Sequence, residues 1–106
     1  MAKSLLNDFD VNSKDGNGNT LLFHAVKKND REVVEFLLKN GVNVNSKDDD
    51  GNTLLHQAVN DHNIGMVEFL LDNGANVDSK NKDGNTVLYL AVKNYNMEML
   101  KFLLKN

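Results

Sequence analysis

The segment Ser46-Lys47-Asp48-Asp49-Asp50-Gly51 sets oxygen-bearing side chains at alternate positions ahead of a glycine, which is how a calcium-binding loop begins. A complete loop also needs a bidentate glutamate at its twelfth position. That position falls on Gln57 here, and on His24 and Leu90 in the two equivalent turns, so half of the cage is missing. The spacing reads as a solvated turn. Histidine offers zinc ligation or general-base chemistry, yet His24, His56 and His62 form no His-x-x-x-His pair and the chain has no cysteine. His56 follows Thr53 by one helical turn and reads as a buried hydrogen-bonding residue with the Thr53 hydroxyl as its partner. Gly16-x-Gly18 is half of a phosphate fingerprint without the preceding strand or the third glycine. Serine and threonine occupy recurring linker and cap positions, whereas a nucleophile with its base should break a recurring pattern. No catalytic residue, metal ligand or cofactor is assigned, and no enzyme activity is expected.

Bulk composition narrows the partner classes. The 106 residues carry a net charge of −3, so no broad basic surface is available for the counterion release that drives nucleic-acid binding. With no cysteine, disulfide frameworks and redox pairs are excluded and stability rests on packing. No apolar run approaches the roughly 20 residues of a membrane span, and the polar start Met1 to Asp8 is unlike a signal peptide. An intracellular, cytoplasmic setting is the default expectation. Asparagine fills 18 positions, and 11 lysines stand against the single Arg31. Bidentate guanidinium recognition of carboxylate or phosphate is therefore nearly unavailable.

The elements that would position any of these side chains repeat at 33 residues. Gly18-Asn19-Thr20-Leu21-Leu22 returns as Gly51-Asn52-Thr53-Leu54-Leu55 and as Gly84-Asn85-Thr86-Val87-Leu88. A fixed period of this size implies stacked small units that bury their apolar faces against one another. Each unit opens on a turn: Asp15-Gly16-Asn17-Gly18, Asp48-Asp49-Asp50-Gly51 and Asn81-Lys82-Asp83-Gly84. Thr20, Thr53 and Thr86 are placed to cap a short first helix whose stripe is Leu21, Leu22, Ala25, Val26 and its copies. A second helix carries Val33, Val34, Phe36, Leu37 and Leu38, then Met66, Val67, Phe69, Leu70 and Leu71, then Met99, Leu100, Phe102, Leu103 and Leu104. Its wider stripe predicts the more deeply packed helix, with the three phenylalanines in the core. Asn40-Gly41 and Asn73-Gly74 signal left-handed C-caps before extended linkers.

Turn, helix, turn, helix and extended linker at this period resemble the ankyrin repeat family. The residues that carry the resemblance are Gly18 to Leu22, Ala25-Val26, Glu32 to Leu38 and Gly41 to Asn45, with their copies, and it spans essentially the whole chain. It implies an all-α ankyrin-repeat solenoid with helix-turn-helix units joined by hairpin-like loops. The expected division is a partial N-terminal repeat at 1–14, repeats at 15–47 and 48–80, and a C-terminal repeat at 81–106 that ends after its second helix. The family's Thr-Pro-Leu-His becomes Thr20-Leu21-Leu22-Phe23, Thr53-Leu54-Leu55-His56 and Thr86-Val87-Leu88-Tyr89, without proline. Only His56 keeps the histidine that bridges adjacent repeats in the family. The family glycine between the two helices is Asn29, His62 and Tyr95 here, and His and Tyr cost about 1 kcal/mol or more in a left-handed conformation. An array less stable than a consensus one is expected, weakest at those two turns.

What varies while the frame recurs is the surface. The resemblance implies non-catalytic protein–protein recognition through the turn tips and the concave first-helix face. At the tips the series is Gly16, Asn17, then Asp49, Asp50, then Lys82, Asp83. At the first-helix ends it is Lys27, Lys28, then Asn60, Asp61, then Lys93, Asn94. This is an acidic centre flanked by lysines, suited to another protein as partner. Without tryptophan, and with one arginine, hot-spot residues are scarce and micromolar affinity is expected. The competing reading is a structural segment of a longer array with no partner of its own. Its last helix keeps a full apolar stripe, and exposure of Met99, Leu103 and Phe102 would support self-association through that end.

Overall fold

The computed structural model describes residues 21–105. Those residues form three helix pairs: α1 Leu21–Lys27 with α2 Arg31–Lys39, α3 Leu54–Asn60 with α4 Ile64–Asp72, and α5 Val87–Lys93 with α6 Met97–Lys105. Among them no strand forms, and a single antiparallel bridge between Lys47 and Thr53 closes the turn before α3. The all-α solenoid follows from how short these helices are. Seven to nine residues are marginal alone, and each is held by caps and by its neighbours.

The caps are built from the side chains at the recurring positions. Thr53 accepts from the His56 N–H at 3.3 Å and Thr86 from the Tyr89 N–H at 3.2 Å. Thr20 lies outside the described residues. Second helices are capped by Asp30, Asn63 and Asn96, whose oxygens take the N–H of Val33, Met66 and Met99. At the other end Gly41 and Gly74 adopt φ of +92°, and Val42 and Ala75 donate back to Leu37 and Leu70. This is the Schellman arrangement that satisfies orphan carbonyls. Asn29, His62 and Tyr95 all take the left-handed turn between paired helices, with φ of 56°, 57° and 56°.

Packing reverses one expectation. The first helices are the more deeply buried: α1 buries Leu22, Phe23, Ala25 and Val26, and α3 buries Leu54, Leu55, His56, Ala58 and Val59. By contrast α2 buries only Val34 and Leu37, and Phe36 and Val33 remain 51% and 41% exposed. The reason is position in the stack. α3 packs against α1, α5 and α4 at once, whereas each second helix packs chiefly on its own first helix. Phe36 is thus a correction to the reading of the phenylalanines as core, while Phe69 and Phe102 are half-buried. Met99 and Leu103 are likewise buried, so the apolar surface of the last pair is a different set: Tyr89, Val92, Tyr95, Met97 and Leu104. Each fully buried aliphatic side chain is worth about 1.5–3 kcal/mol, several times the roughly 0.5–1.5 kcal/mol of a net hydrogen bond. The apolar layers hold the stack together, and the polar contacts fix its register.

Candidate functional site

The calcium-like turn uses its carboxylate on itself. Asp48 Oδ1 accepts the N–H of Asp50 and of Asn52, each at 2.9 Å, and Gly51 closes the turn by donating to the Asp48 carbonyl at 3.0 Å. Asn81 does the same in the next turn, taking the N–H of Asp83 at 3.0 Å and of Asn85 at 2.9 Å. The alternating acidic spacing thus arises from side-chain to backbone bonds that shape a turn. Among the described residues no group of three or more His, Cys, Asp or Glu side chains is placed to hold a metal ion.

His56 is fully buried and spans a seam between units. Its Nδ1 lies 2.9 Å from the Thr53 hydroxyl and 3.1 Å from the Thr53 backbone nitrogen, while Nε2 lies 2.8 Å from the Asn85 carbonyl oxygen. A backbone N–H can only donate, so Nδ1 is the acceptor and Nε2 carries the proton. Burial pushes the imidazole below its ordinary value of 6.5; the bond to Asn85 opposes this, Lys47 adds to it and Asp48 opposes it. The residue is a neutral strut.

Asparagine builds most of the remaining bridges, a role its abundance alone did not reveal. Asn63 Nδ2 donates to Asn29 Oδ1 at 2.9 Å, Asn81 Nδ2 to Asn52 Oδ1 at 2.9 Å, and Asn94 Nδ2 to Asn60 Oδ1 at 3.2 Å. Asn45 reaches across with both ends, giving to the Gly74 carbonyl at 3.2 Å and taking the Asn76 N–H at 2.7 Å. Lys47 Nζ donates to the Lys80 carbonyl at 3.0 Å. Arg31 donates to the Gly65 carbonyl at 2.8 Å and sits 5.1 Å over the Phe69 ring. The single guanidinium is thereby committed to the frame.

Around this frame the sequence-derived surface residues sort into two groups. Lys27, Lys28, Asp49, Asp50, Asn60, Asp61, Lys82, Asp83 and Lys93 are exposed, and Asn94 is half-buried. Gly16 and Asn17 lie outside the described residues. Asn60 and Asn94 are tied to each other, and Asp61 receives the Gln57 amide at 3.0 and 3.1 Å. The Asp50 carbonyl takes the Lys82 N–H at 3.0 Å, which brings the second and third turn tips into register. The charge is banded: residues 48–80 hold seven acidic side chains and one basic, whereas 15–47 hold five basic and four acidic, and 81–106 four basic and two acidic. Sequence reasoning missed the exposed apolar residues of the last pair. Their signal was Tyr89 and Tyr95 standing where His56 and His62 stand one unit earlier.

No helix among the described residues is long and apolar enough to cross a membrane. Comparison with curated proteins gives no match. A family model described as ankyrin repeats in three copies matches residues 1–81 and 63–106. With paired short helices, threonine caps, left-handed interhelix turns and a histidine strut between units already in place, the chain belongs to the ankyrin repeat family.

Proposed function

We propose that the chain is a non-catalytic recognition module for another protein. Ankyrin repeats are generally protein–protein interaction modules. The contact row proposed here runs along the turn tips and the ends of the first helices: Lys27 and Lys28, then Asp49, Asp50 and Asp61, then Lys82, Asp83 and Lys93. Gly16 and Asn17 would extend it by sequence register, and Asn60 and Asn94 would serve it as a fixed floor. The observation that carries this reading is the charge band, since exposed acidic side chains sit between flanking lysines on a scaffold bonded at both seams between the described helix pairs. Its complement is a protein segment with basic side chains at its centre. Affinity is micromolar in order of magnitude, because the one arginine is already bonded to Gly65.

A second reading has its own observation. The last helix pair exposes Tyr89, Val92, Tyr95, Met97 and Leu104, and a patch of this kind supports self-association or further stacking through that face. Charge reversal separates the two. Asp49→Lys with Asp50→Lys, combined with Lys27→Glu and Lys28→Glu, should abolish capture of a specific protein from the source cell while the melting temperature stays unchanged. Unaltered capture by the reversed variant, read by quantitative mass spectrometry, would reject the recognition row. A strictly monomeric mass by light scattering at about 100 µM would reject self-association.

A further inference from the structure

We propose that the seam between the α3–α4 and α5–α6 pairs is a proton-operated joint, in which protonation of His56 at Nδ1 uncouples the last helix pair from the rest of the stack. The geometry offers that proton one poor place: the Thr53 hydroxyl, 2.9 Å from Nδ1, can take it only by turning its own hydrogen away inside a buried site. Nδ1 faces the Thr53 N–H at 3.1 Å, a group that cannot accept, in a site where Thr53 and His56 are both buried. A second N–H there turns an attraction into a repulsion and orphans a buried donor. A charged ring held there is desolvated and has lost the bond from the Thr53 N–H, so opening that brings water to it becomes easier, and Nε2 then leaves the Asn85 carbonyl. Asn85 immediately precedes Thr86, the cap of α5, so the released residue adjoins the one that sets where α5 begins.

The surroundings make the joint one-sided. Lys47 and Asp48, from the turn before α3, are the charged groups acting on the ring, and they oppose each other. The helices packed on α3 turn apolar buried residues toward the core: Leu22, Phe23 and Val26 from α1, Met66 and Leu70 from α4, Val87 and Ala91 from α5. The titratable side chains of those helices, His24, Lys27, Glu68, Asp72, Tyr89 and Lys93, are outside that buried set. Neither neighbouring unit has the same device, since the position of His56 is Phe23 in one and Tyr89 in the other. The seam between the first two pairs is therefore indifferent to this proton. Opening would part Lys82, Asp83 and Lys93 from Asp49, Asp50 and Asp61, dividing the charged row in two.

The sign follows from linkage. A histidine held neutral by folding, with its value below 6.5, contributes stability that is complete above 6.5 and is lost as pH falls toward the folded-state value. Acidification also reduces a net charge of −3, so general self-repulsion acts in the opposite direction. The test is amide hydrogen exchange by NMR on the full 106-residue chain, corrected for intrinsic rates, between about pH 7.5 and about pH 5. Opening constants in α5 and α6 should rise by up to about tenfold for each pH unit below 6.5, with α1 and α2 unchanged. His56→Gln keeps a capping-box side chain that does not titrate and should abolish the response. His62→Asn, which copies the Asn29–Asn63 pair at the other seam, should retain it. An equal response in His56→Gln, its loss in His62→Asn, or a rise spread evenly over all helices would overturn the proposal. If His56→Gln does not fold, the wild-type ring decides: its NMR titration must share a midpoint with the opening of α5 and α6, and a ring that titrates while their protection is unchanged would overturn it.

Discussion

Asn96 gives its side-chain amide to His62 Nδ1 across 2.7 Å while its Oδ1 caps α6 at the Met99 N–H, 3.0 Å away. One side chain thus begins a helix and ties it to the preceding unit. Asn63 repeats the device a unit earlier, capping α4 and reaching Asn29. The two roles separate by substitution. Asn96→Ser keeps a capping oxygen but is too short to reach His62, and should cost about 0.5–1 kcal/mol. Asn96→Ala loses the cap as well and should cost about 1 kcal/mol more. Urea unfolding measures both, and a serine variant as stable as wild type would show that the bond to His62 contributes nothing.

Gly51 and Gly84 share a backbone conformation, with φ of +77° and +79°, but differ in what lies beside them. A Cβ on Gly51 would stand 2.7 Å from the Lys82 backbone nitrogen, whereas nothing lies within 4 Å of Gly84. Gly84→Ala should cost only the left-handed penalty, about 1–2 kcal/mol. Gly51→Ala should cost at least about 1 kcal/mol beyond that, because backbone must move at the seam. Equal midpoints in denaturant for the two variants would contradict a close approach of the turns.

Tyr95 is 92% exposed and has a φ of 56°. It bears left-handed strain without burial to offset it. Tyr95→Gly should raise stability by up to about 1 kcal/mol, reduced by the greater freedom of glycine in the unfolded chain. His62→Gly should gain less, since it gives up the bond from Asn96. Thermal unfolding ranks them, and a destabilised Tyr95→Gly would mean that the tyrosine makes a contact worth more than its strain.

Arg31→Lys removes a fork that bonds Gly65 and lies over Phe69. Lysine reaches neither geometry as well, so a loss of about 1 kcal/mol is expected with the charge unchanged. A double-mutant cycle with Phe69→Leu should show coupling, and strict additivity would deny the stacking.

The frame was legible because the residues that build it are constrained locally. A Thr two residues after the glycine and an Asn-Gly at the helix end each have one dominant use, and Thr53 and Gly41 adopt it, whereas His62 takes the left-handed turn against its own preference because the repeat register places it there. The relative depth of the helices was not legible. Stripe width along α2 counts apolar side chains but not how many neighbours the helix has, and Phe36 stays half exposed. The bridging role of the asparagines was not legible for a related reason. A partner some 29 to 34 residues away appears only once the units are stacked, so Asn63 and Asn81 resemble generic turn residues in the chain. The charged row is different again. Its described charged side chains are exposed, because turn tips and first-helix ends face solvent whatever they bind.

The seam contacts join successive units at separations of 29 to 34 residues, so they lie in series along the stack. Drawn apart from its ends, such a molecule would not share the load among its polar bridges; the weakest seam would yield first and the others would wait. Each unit released would then lengthen the chain by on the order of 100 Å. With the His62–Asn96 and His56–Asn85 contacts at one seam and Asn29–Asn63 at the other, the two seams are held by different bonds, and the order in which they part would follow that difference.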